Sequence, residues 1–195
     1  MRKLLIIVLV LGSSFAWGQN KYEPYYKASS YPKAIPKDED KTDYRNLGAI
    51  LPIFRVITLP EKSVDTPALA DRPSREVTNA DMQNDANLFL FLFNPTCGHC
   101  EDMTKMLEQN ISLFKKSKIL MVAAQHMGEY LVFFERGLKT NEYPQMTVGI
   151  DSSHLVDRTF MYMALPQINI YNKDRKLIKR FSGETPLDSL RKYIQ

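Results

Sequence analysis

The sequence predicts an α/β fold in which a central mixed β-sheet is flanked by helices. From about residue 47 onward, apolar strand-like runs alternate with segments of helical periodicity. The alternation then gives way to two short apolar runs joined by a polar turn, which is typical of an antiparallel hairpin. Cys97-Gly98-His99-Cys100 stands between a fully apolar run and the first helical segment, and it holds the only two cysteines of the 195 residues.

The elements follow in chain order from these patterns. Strands are predicted at residues 53–57, 88–93, 118–124, 147–150, 167–171 and 177–181, and residues 61–87 are predicted to be mostly loop. Because run 88–93 is apolar throughout, we expect it to be buried on both faces in the middle of the sheet. Helices are predicted over 98–114, over about 127–138, after a cap at Ser152 or Ser153, and from Pro186 onward. Their predicted apolar faces hold Met103, Met106, Leu107, Ile111 and Phe114, then Met127, Tyr130, Leu131, Phe134 and Leu138, then Leu155, Val156 and Phe160, and finally Leu187, Leu190 and Ile194.

The N-terminal residues have the three parts of a secretory signal peptide. Arg2 and Lys3 are positive, residues 4–11 are apolar, and Ala16-Trp17-Gly18 places small residues before a cut near Gln19. A signal anchor is the alternative, but the apolar run is shorter than the roughly 20 residues of a spanning helix. We therefore predict a cleaved signal peptide at residues 1–18 and a periplasmic or secreted mature protein, where dithiols can be oxidised or kept reduced.

Residues 19–46 differ in composition from the rest of the chain. They are rich in tyrosine, proline and charged residues and show no apolar periodicity, so we predict an arm or linker there. The tyrosines leave open a partner-binding role for this arm. Residues 47–195 are predicted to form one domain. The formal net charge of +4 is small and scattered, which argues against nucleic acid as a partner.

The spacing of the two cysteines indicates a redox dithiol. A helix N-terminus carries free N–H groups and partial positive charge, so a sulfur placed there ionises more readily. Cys100, one turn further on, can then attack a mixed disulfide formed at Cys97. A zinc site is disfavoured because no second cysteine pair is present and His126 and His154 are far apart in sequence. A purely structural disulfide remains an alternative, although so short a loop contributes little stability.

Three local signatures extend this interpretation. They are residues 93–100 around the dithiol, the segment Ala164-Leu165-Pro166-Gln167-Ile168 before the hairpin, and residues 177–184, a late strand followed by a glycine. Together they resemble the exported thioredoxin-like proteins of the TlpA and redoxin type, particularly those of Bacteroidetes-like bacteria. The resemblance covers residues 47–195 and implies a thioredoxin fold and an exported thiol-disulfide oxidoreductase.

The resemblance also implies roles for individual residues. Cys97 corresponds to the nucleophile and Cys100 to the resolving cysteine. Pro166 corresponds to the family's cis-proline, which, together with the Leu165 backbone, implies a substrate-binding segment opposite the dithiol. His99 lies between the cysteines as in the disulfide isomerases, where an imidazolium stabilises the thiolate and makes the couple more oxidising. Implied partners are protein thiols and disulfides and a membrane electron donor of the DsbD or CcdA kind, with no cofactor and no metal.

The sequence departs from thioredoxin at two positions. Thr96 stands where a tryptophan usually precedes the first cysteine, and Phe91 stands where a buried carboxylate usually accepts the proton of the second. We expect the nearby Glu101 and Asp102 to point outward. The proton acceptor for Cys100 is therefore not assigned by the sequence.

Other functions share this fold. The thiol peroxidase motif is Pro-x-x-x-Thr-x-x-Cys. If Cys100 is aligned with its cysteine, Cys97 stands in place of the threonine and Phe93 in place of the proline, so the motif is absent. An SCO-like copper chaperone has one residue more between its cysteines; His154 is available as a distant ligand, and thiolates suit Cu(I). A non-catalytic thioredoxin-fold binding module is the third alternative. The copper chaperone and the binding module stay open at this point.

Overall fold

The computed structural model describes residues 43–60, 73–154, 156 and 164–195. The strands of this part are β1 (Arg55–Ile57), β2 (Glu76–Thr78), β3 (Leu88–Phe93), β4 (Lys118–Ala123), β5 (Met146–Asp151), β6 (Gln167–Tyr171) and β7 (Leu177–Ser182). The α-helices are α1 (Gly98–Gln109), α2 (Gly128–Leu138) and α3 (Leu187–Arg191). Short 3₁₀ turns occur at Ile111–Leu113, Gln125–Met127 and Thr140–Glu142.

The described strands form one mixed sheet in the order β2-β1-β5-β4-β3-β6-β7. Strands β3, β4 and β5 run parallel, and the remaining neighbours pair antiparallel. The predicted central mixed sheet is therefore confirmed. Since α1 begins a few residues after β3 ends, the Cys97–Cys100 segment lies at the edge formed by the carboxyl ends of the parallel strands.

Strand β3 has a different core on each face. Leu88, Leu90 and Leu92 belong to one apolar cluster that also holds Phe54, Val56, Met82 and Val156. On the other face, Phe89 packs edge-on against Phe114 and Phe93 packs against Phe134 of α2, with ring centroids 5.2 Å and 4.8 Å apart. All six β3 residues are buried, as the unbroken apolar run predicts.

The turn between β6 and β7 is tied to the chain that leads into β3. Arg175 is 3% exposed, and its guanidinium donates hydrogen bonds to the carbonyls of Met82, Ala86 and Asn172 and to the side-chain oxygen of Asn84. Burial lowers the pKa of Arg175. The guanidinium thus joins the β6–β7 turn to the segment that precedes the central strand β3 by hydrogen bonds.

The element boundaries differ from the predicted ones at a few places. Strand β2 lies within the predicted loop 61–87, because a three-residue edge strand with one buried side chain, Val77, is too short to give a periodic pattern. Helix α1 ends at Gln109 and is followed by a 3₁₀ turn, earlier than predicted. On α2, Leu131 and Phe134 are buried, whereas Tyr130, predicted on the apolar face, is 52% exposed.

Some predictions lie outside the described residues. They are the signal peptide, most of the arm, and, apart from the buried Val156, the helix predicted to carry Leu155 and Phe160. The domain boundaries thus stay predictions.

Candidate active site

Cys97 is the N-cap of α1. Its backbone is extended, with φ −96° and ψ 118°, and its carbonyl accepts hydrogen bonds from the amides of Cys100 and Glu101 at 3.0 and 3.1 Å. The turn before it is organised by Asn94, whose carbonyl binds the Cys97 amide at 3.0 Å and whose side chain accepts from Thr96. The sulfur of Cys97 is therefore placed at the first turn of a helix, where free amides favour negative charge.

The two sulfurs have different surroundings. Cys97 is half-buried, whereas Cys100 is fully buried, and both are free thiols in this structure. Burial raises the pKa of the Cys100 thiol to about 12, and its hydrogen bond with the Cys97 side chain acts in the same direction, although a backbone hydrogen bond from Asn94 opposes the rise. Near neutral pH, Cys100 consequently keeps its proton, and its sulfur is shielded from solvent.

No acid of the described first turn of α1 reaches inward to take that proton. Phe91 occupies the family's carboxylate position and is fully buried, with its ring 5.9 Å from that of Phe93. Glu101 and Asp102 are exposed, and Glu101 forms an ion pair with Lys105 at 2.7 Å. The expectation that these two acids point outward is confirmed.

Leu165 and Pro166 precede β6. The peptide bond between them is cis, as the resemblance implies. Pro166 is buried and Leu165 is half-buried, and the ladder of β6 begins only at Gln167. The Pro166 carbonyl accepts a hydrogen bond from the amide of Gly183 at 2.8 Å. This segment is thereby joined to the end of β7.

His99 has a partner that the sequence did not assign. Its Nδ1 atom forms a hydrogen bond with a carboxylate oxygen of Glu184, the residue after Gly183. Gly183 adopts a φ of +77°, which a glycine accommodates without strain and which turns the chain after β7. Glu184 is the last residue of the signature at residues 177–184. Its pairing with His99 spans 85 residues, so no local sequence spacing could predict it.

The predicted site residues come from two segments of the chain, which hydrogen bonds connect. Cys97, His99 and Cys100 come from the start of α1, while Leu165 and Pro166 come from the start of β6. The bond from Pro166 to Gly183 and the contact of Glu184 with His99 connect the two segments.

The other histidines do not belong to a metal-ligand cluster in the described part of the chain. His126 and His154 are exposed, and among the described residues no group of three His, Cys, Asp or Glu side chains is arranged to hold a metal ion. Within the same residues, no helix combines the length and apolar character needed to cross a bilayer.

Comparison with solved structures decides the fold. A protein assigned as the thiol:disulfide interchange protein DsbE of Chlorobium tepidum matches with a TM-score of 0.55 and 16% identity, over 76% of this chain and 94% of the other. The thioredoxin domain of a thiol-disulfide oxidoreductase from Bacteroides vulgatus matches with a TM-score of 0.53 and 15% identity, over 75% and 94%. The chain has a thioredoxin fold.

A third thioredoxin-fold match is a secreted disulfide oxidoreductase of Mycobacterium tuberculosis, with a TM-score of 0.50, 16% identity, and coverage of 60% of this chain and 86% of the other. No protein-family model matches the chain, and no curated protein matches it. The predicted resemblance to exported thioredoxin-like proteins therefore agrees with these structures at the level of the fold.

Proposed function

We propose that the protein is an exported thiol-disulfide oxidoreductase that exchanges protein disulfides through Cys97 and Cys100. The observation that carries the proposal is the asymmetry of the two sulfurs. One is half-exposed at the N-cap of a helix, and the other is buried one turn further on with a pKa raised to about 12. A substrate thus meets one sulfur first, and the second is reserved for the step that follows.

The reaction balances over two sulfur transfers. The Cys97 thiolate attacks one sulfur of a substrate disulfide, forms a mixed disulfide and releases one substrate thiolate. Cys100 then loses its proton and attacks the Cys97 sulfur, which closes the Cys97–Cys100 disulfide and releases the second substrate thiolate. Two electrons pass from the protein to the substrate, and two protons leave the dithiol. With an oxidised Cys97–Cys100 pair and a reduced substrate, the same steps run in reverse.

The substrate segment is assigned to Leu165 and Pro166. Leu165 precedes the β6 ladder and is half-exposed, so an extended substrate chain can pair with its backbone. The other partner is a protein that restores the dithiol after each cycle, and a membrane electron donor of the DsbD or CcdA kind fits the exported location that residues 1–18 predict. The secreted Mycobacterium tuberculosis protein supports this location by similarity of fold.

Two assays test the proposal. Insulin reduction with dithiothreitol should be accelerated by the wild type and not by Cys97→Ser. Cys100→Ser should trap substrates as mixed disulfides on Cys97, because the resolving sulfur is missing, and the variant lacking both cysteines is the matched control. If the wild type accelerates insulin reduction no more than Cys97→Ser does, because neither has any effect, the domain is a binding module rather than an oxidoreductase. Equal acceleration by both would exclude Cys97 as the nucleophile.

The direction of electron flow needs its own measurement. The equilibrium of the dithiol with a glutathione buffer gives its reduction potential. A value near that of thioredoxin, about −270 mV, identifies a reductase, and one near −120 mV identifies an oxidase.

A further inference from the structure

The ring of His99 is held by a residue outside its own helix. Its Nδ1 atom bonds with Oε1 of Glu184, and the two side chains remain 68% and 62% exposed. An ion pair between two exposed side chains is weak when each must be ordered for the purpose. The pair is stronger if the backbones that carry the two side chains are already fixed, because less conformational entropy is then lost when the contact forms.

The backbone is fixed on both sides of Glu184. Before it, the Gly183 amide donates to the Pro166 carbonyl at 2.8 Å. After it, Thr185 is 4% exposed and its amide donates to the Met103 sulfur at 3.4 Å. Met103 lies one helical turn after His99, on the same face of α1. Two consecutive residues, Glu184 and Thr185, thus contact two consecutive positions of that helix face.

The contact with Glu184 directs the Nδ1 side of the His99 ring toward the chain after β7. His99 lies two residues after Cys97, which is the N-cap of the same helix. We propose that Glu184 is a positioning residue of this dithiol: it holds His99 by Nδ1, fixes the tautomer of the ring and limits the support that the ring gives to the Cys97 thiolate. The proposal rests on the redox function proposed above.

The chemistry of the contact gives the direction of the effect. A carboxylate that accepts from Nδ1 leaves Nε2 as the acceptor nitrogen of the neutral ring. When the ring is charged, the adjacent carboxylate partly cancels its field at the Cys97 sulfur. A ring released from Glu184 is free to turn toward the sulfur and acts as an unpaired cation when protonated. Loss of Glu184 should therefore make the couple more oxidising.

The first test reads the tautomer directly. Nitrogen-15 NMR of His99 above pH 8 should show a proton on Nδ1 in the wild type and in Glu184→Gln, which keeps an acceptor oxygen. Glu184→Ala should lose this signature. The measurement needs no redox activity, so it succeeds or fails independently of the proposed function. A wild-type ring protonated on Nε2, unchanged in Glu184→Ala, would overturn the assignment.

The second test reads the dithiol. At pH 5.5, Glu184→Ala should shift the equilibrium with glutathione toward the reduced protein by about two- to five-fold, the range of an exposed ion pair. In a His99→Ala background, less than half of that shift should remain. Glu101→Ala removes a carboxylate bound to Lys105 in the same helical turn, and it should leave the His99 tautomer and the equilibrium nearly unchanged.

Two results contradict the proposal: an equal shift with His99 absent, or a shift of the same size in Glu101→Ala. Either would mean that Glu184 acts only as one more surface charge. If no variant exchanges disulfides at all, the redox function fails, while the tautomer result still shows whether Glu184 positions the ring.

Discussion

At the scale of single residues, the dithiol owes its asymmetry to the place where α1 begins. Cys97 is the cap and Cys100 is the third residue of the helix, so one sulfur lies at the surface and the other faces the core. The apolar run that ends at Phe93 and the Cys-x-x-Cys spacing were enough to predict that a helix begins at the dithiol. The burial of Cys100 raises the pKa of its thiol.

We expect alkylation of the reduced protein to label Cys97 first. At pH 7 the Cys100 thiol, with a pKa raised to about 12, stays protonated and buried. Peptide mass spectrometry after a short pulse of iodoacetamide measures both sites. In Cys97→Ser, labelling of native protein should stay slow up to about pH 10 and rise only toward pH 12. Faster labelling at Cys100 than at Cys97 in the wild type contradicts the assigned roles.

His99 is predicted to raise the reduction potential. A positive ring on His99 stabilises the Cys97 thiolate and so the reduced state, and Glu184 limits but does not remove this effect. His99→Pro, in the first turn where proline is tolerated, should lower the potential by on the order of 30 mV, or tenfold in the equilibrium constant. Glutathione equilibration measures it, with His126→Ala as a control at an exposed site. An unchanged or higher potential removes His99 from the mechanism.

What the sequence missed at this scale is the partner of His99. The Nδ1 contact joins the first turn of α1 to the residue after Gly183, and it depends on how the β7 end is folded back against Pro166. A single sequence carries local spacing, which is why the cysteines and the proline were found. It carries no direct sign of a contact made across 85 residues.

At the scale of elements, every described strand except β2 was predicted from its sequence pattern. β3, β4 and the β6–β7 hairpin have continuous apolar runs and a polar turn. β2 has one buried side chain, and only its pairing with β1 identifies it as a strand. No sequence pattern indicated a role for Arg175, because a charged residue in a turn usually faces water.

Arg175→Ala should destabilise the fold by about 3 kcal/mol, because buried carbonyls left without a hydrogen-bond partner cost about 1–3 kcal/mol each. The guanidinium donates to three carbonyls in two segments of the chain, and its loss leaves acceptors such as Met82 O and Ala86 O unpaired inside the protein. Urea unfolding followed by circular dichroism measures the change. Lys173→Ala, an exposed neighbour in the same turn, should change the free energy of unfolding by less than about 0.5 kcal/mol.

If Arg175→Ala and Lys173→Ala unfold at the same urea concentration, the hydrogen bonds of Arg175 contribute nothing to the stability of the fold. Arg175→Lys is the informative intermediate. A lysine keeps the charge but cannot reach several carbonyls at once, so it should recover only part of the loss.

At the scale of the whole molecule, the sheet is assembled from distant parts of the chain. β3 is central because β4 pairs with it in parallel and β6 pairs with it from the other side. The alternation of strand and helix patterns predicted a central mixed sheet, and the two apolar runs joined by a polar turn predicted the hairpin. The placement of β1 beside β5 depends on Gly149, where a side chain would approach Ile57 O and a Val56 methyl to 2.6 Å, and no pattern reveals so close an approach.

The redox state should change the stability of the whole domain. By a thermodynamic cycle, whatever the fold contributes to the reduction potential equals the difference in unfolding free energy between reduced and oxidised protein. Positive charge on the ring of His99 favours the reduced form, and the short disulfide loop adds little to the oxidised one. We expect the reduced protein to be more stable by about 1–3 kcal/mol.

The pH dependence of this difference has a definite sign. The pKa of Cys100 is raised in the folded, reduced protein. The stability linked to its protonated thiol is therefore fully present below the pKa of an unfolded thiol, about 8.5. It is lost as pH rises from there toward 12, since the unfolded chain ionises first. Urea unfolding of oxidised protein and of protein held in a phosphine reductant, at pH 7 and pH 10, measures both effects. The Cys97→Ser/Cys100→Ser variant should unfold identically in the two buffers. An oxidised form as stable as the reduced one at pH 7 would show that the surroundings of the dithiol do not favour the thiols.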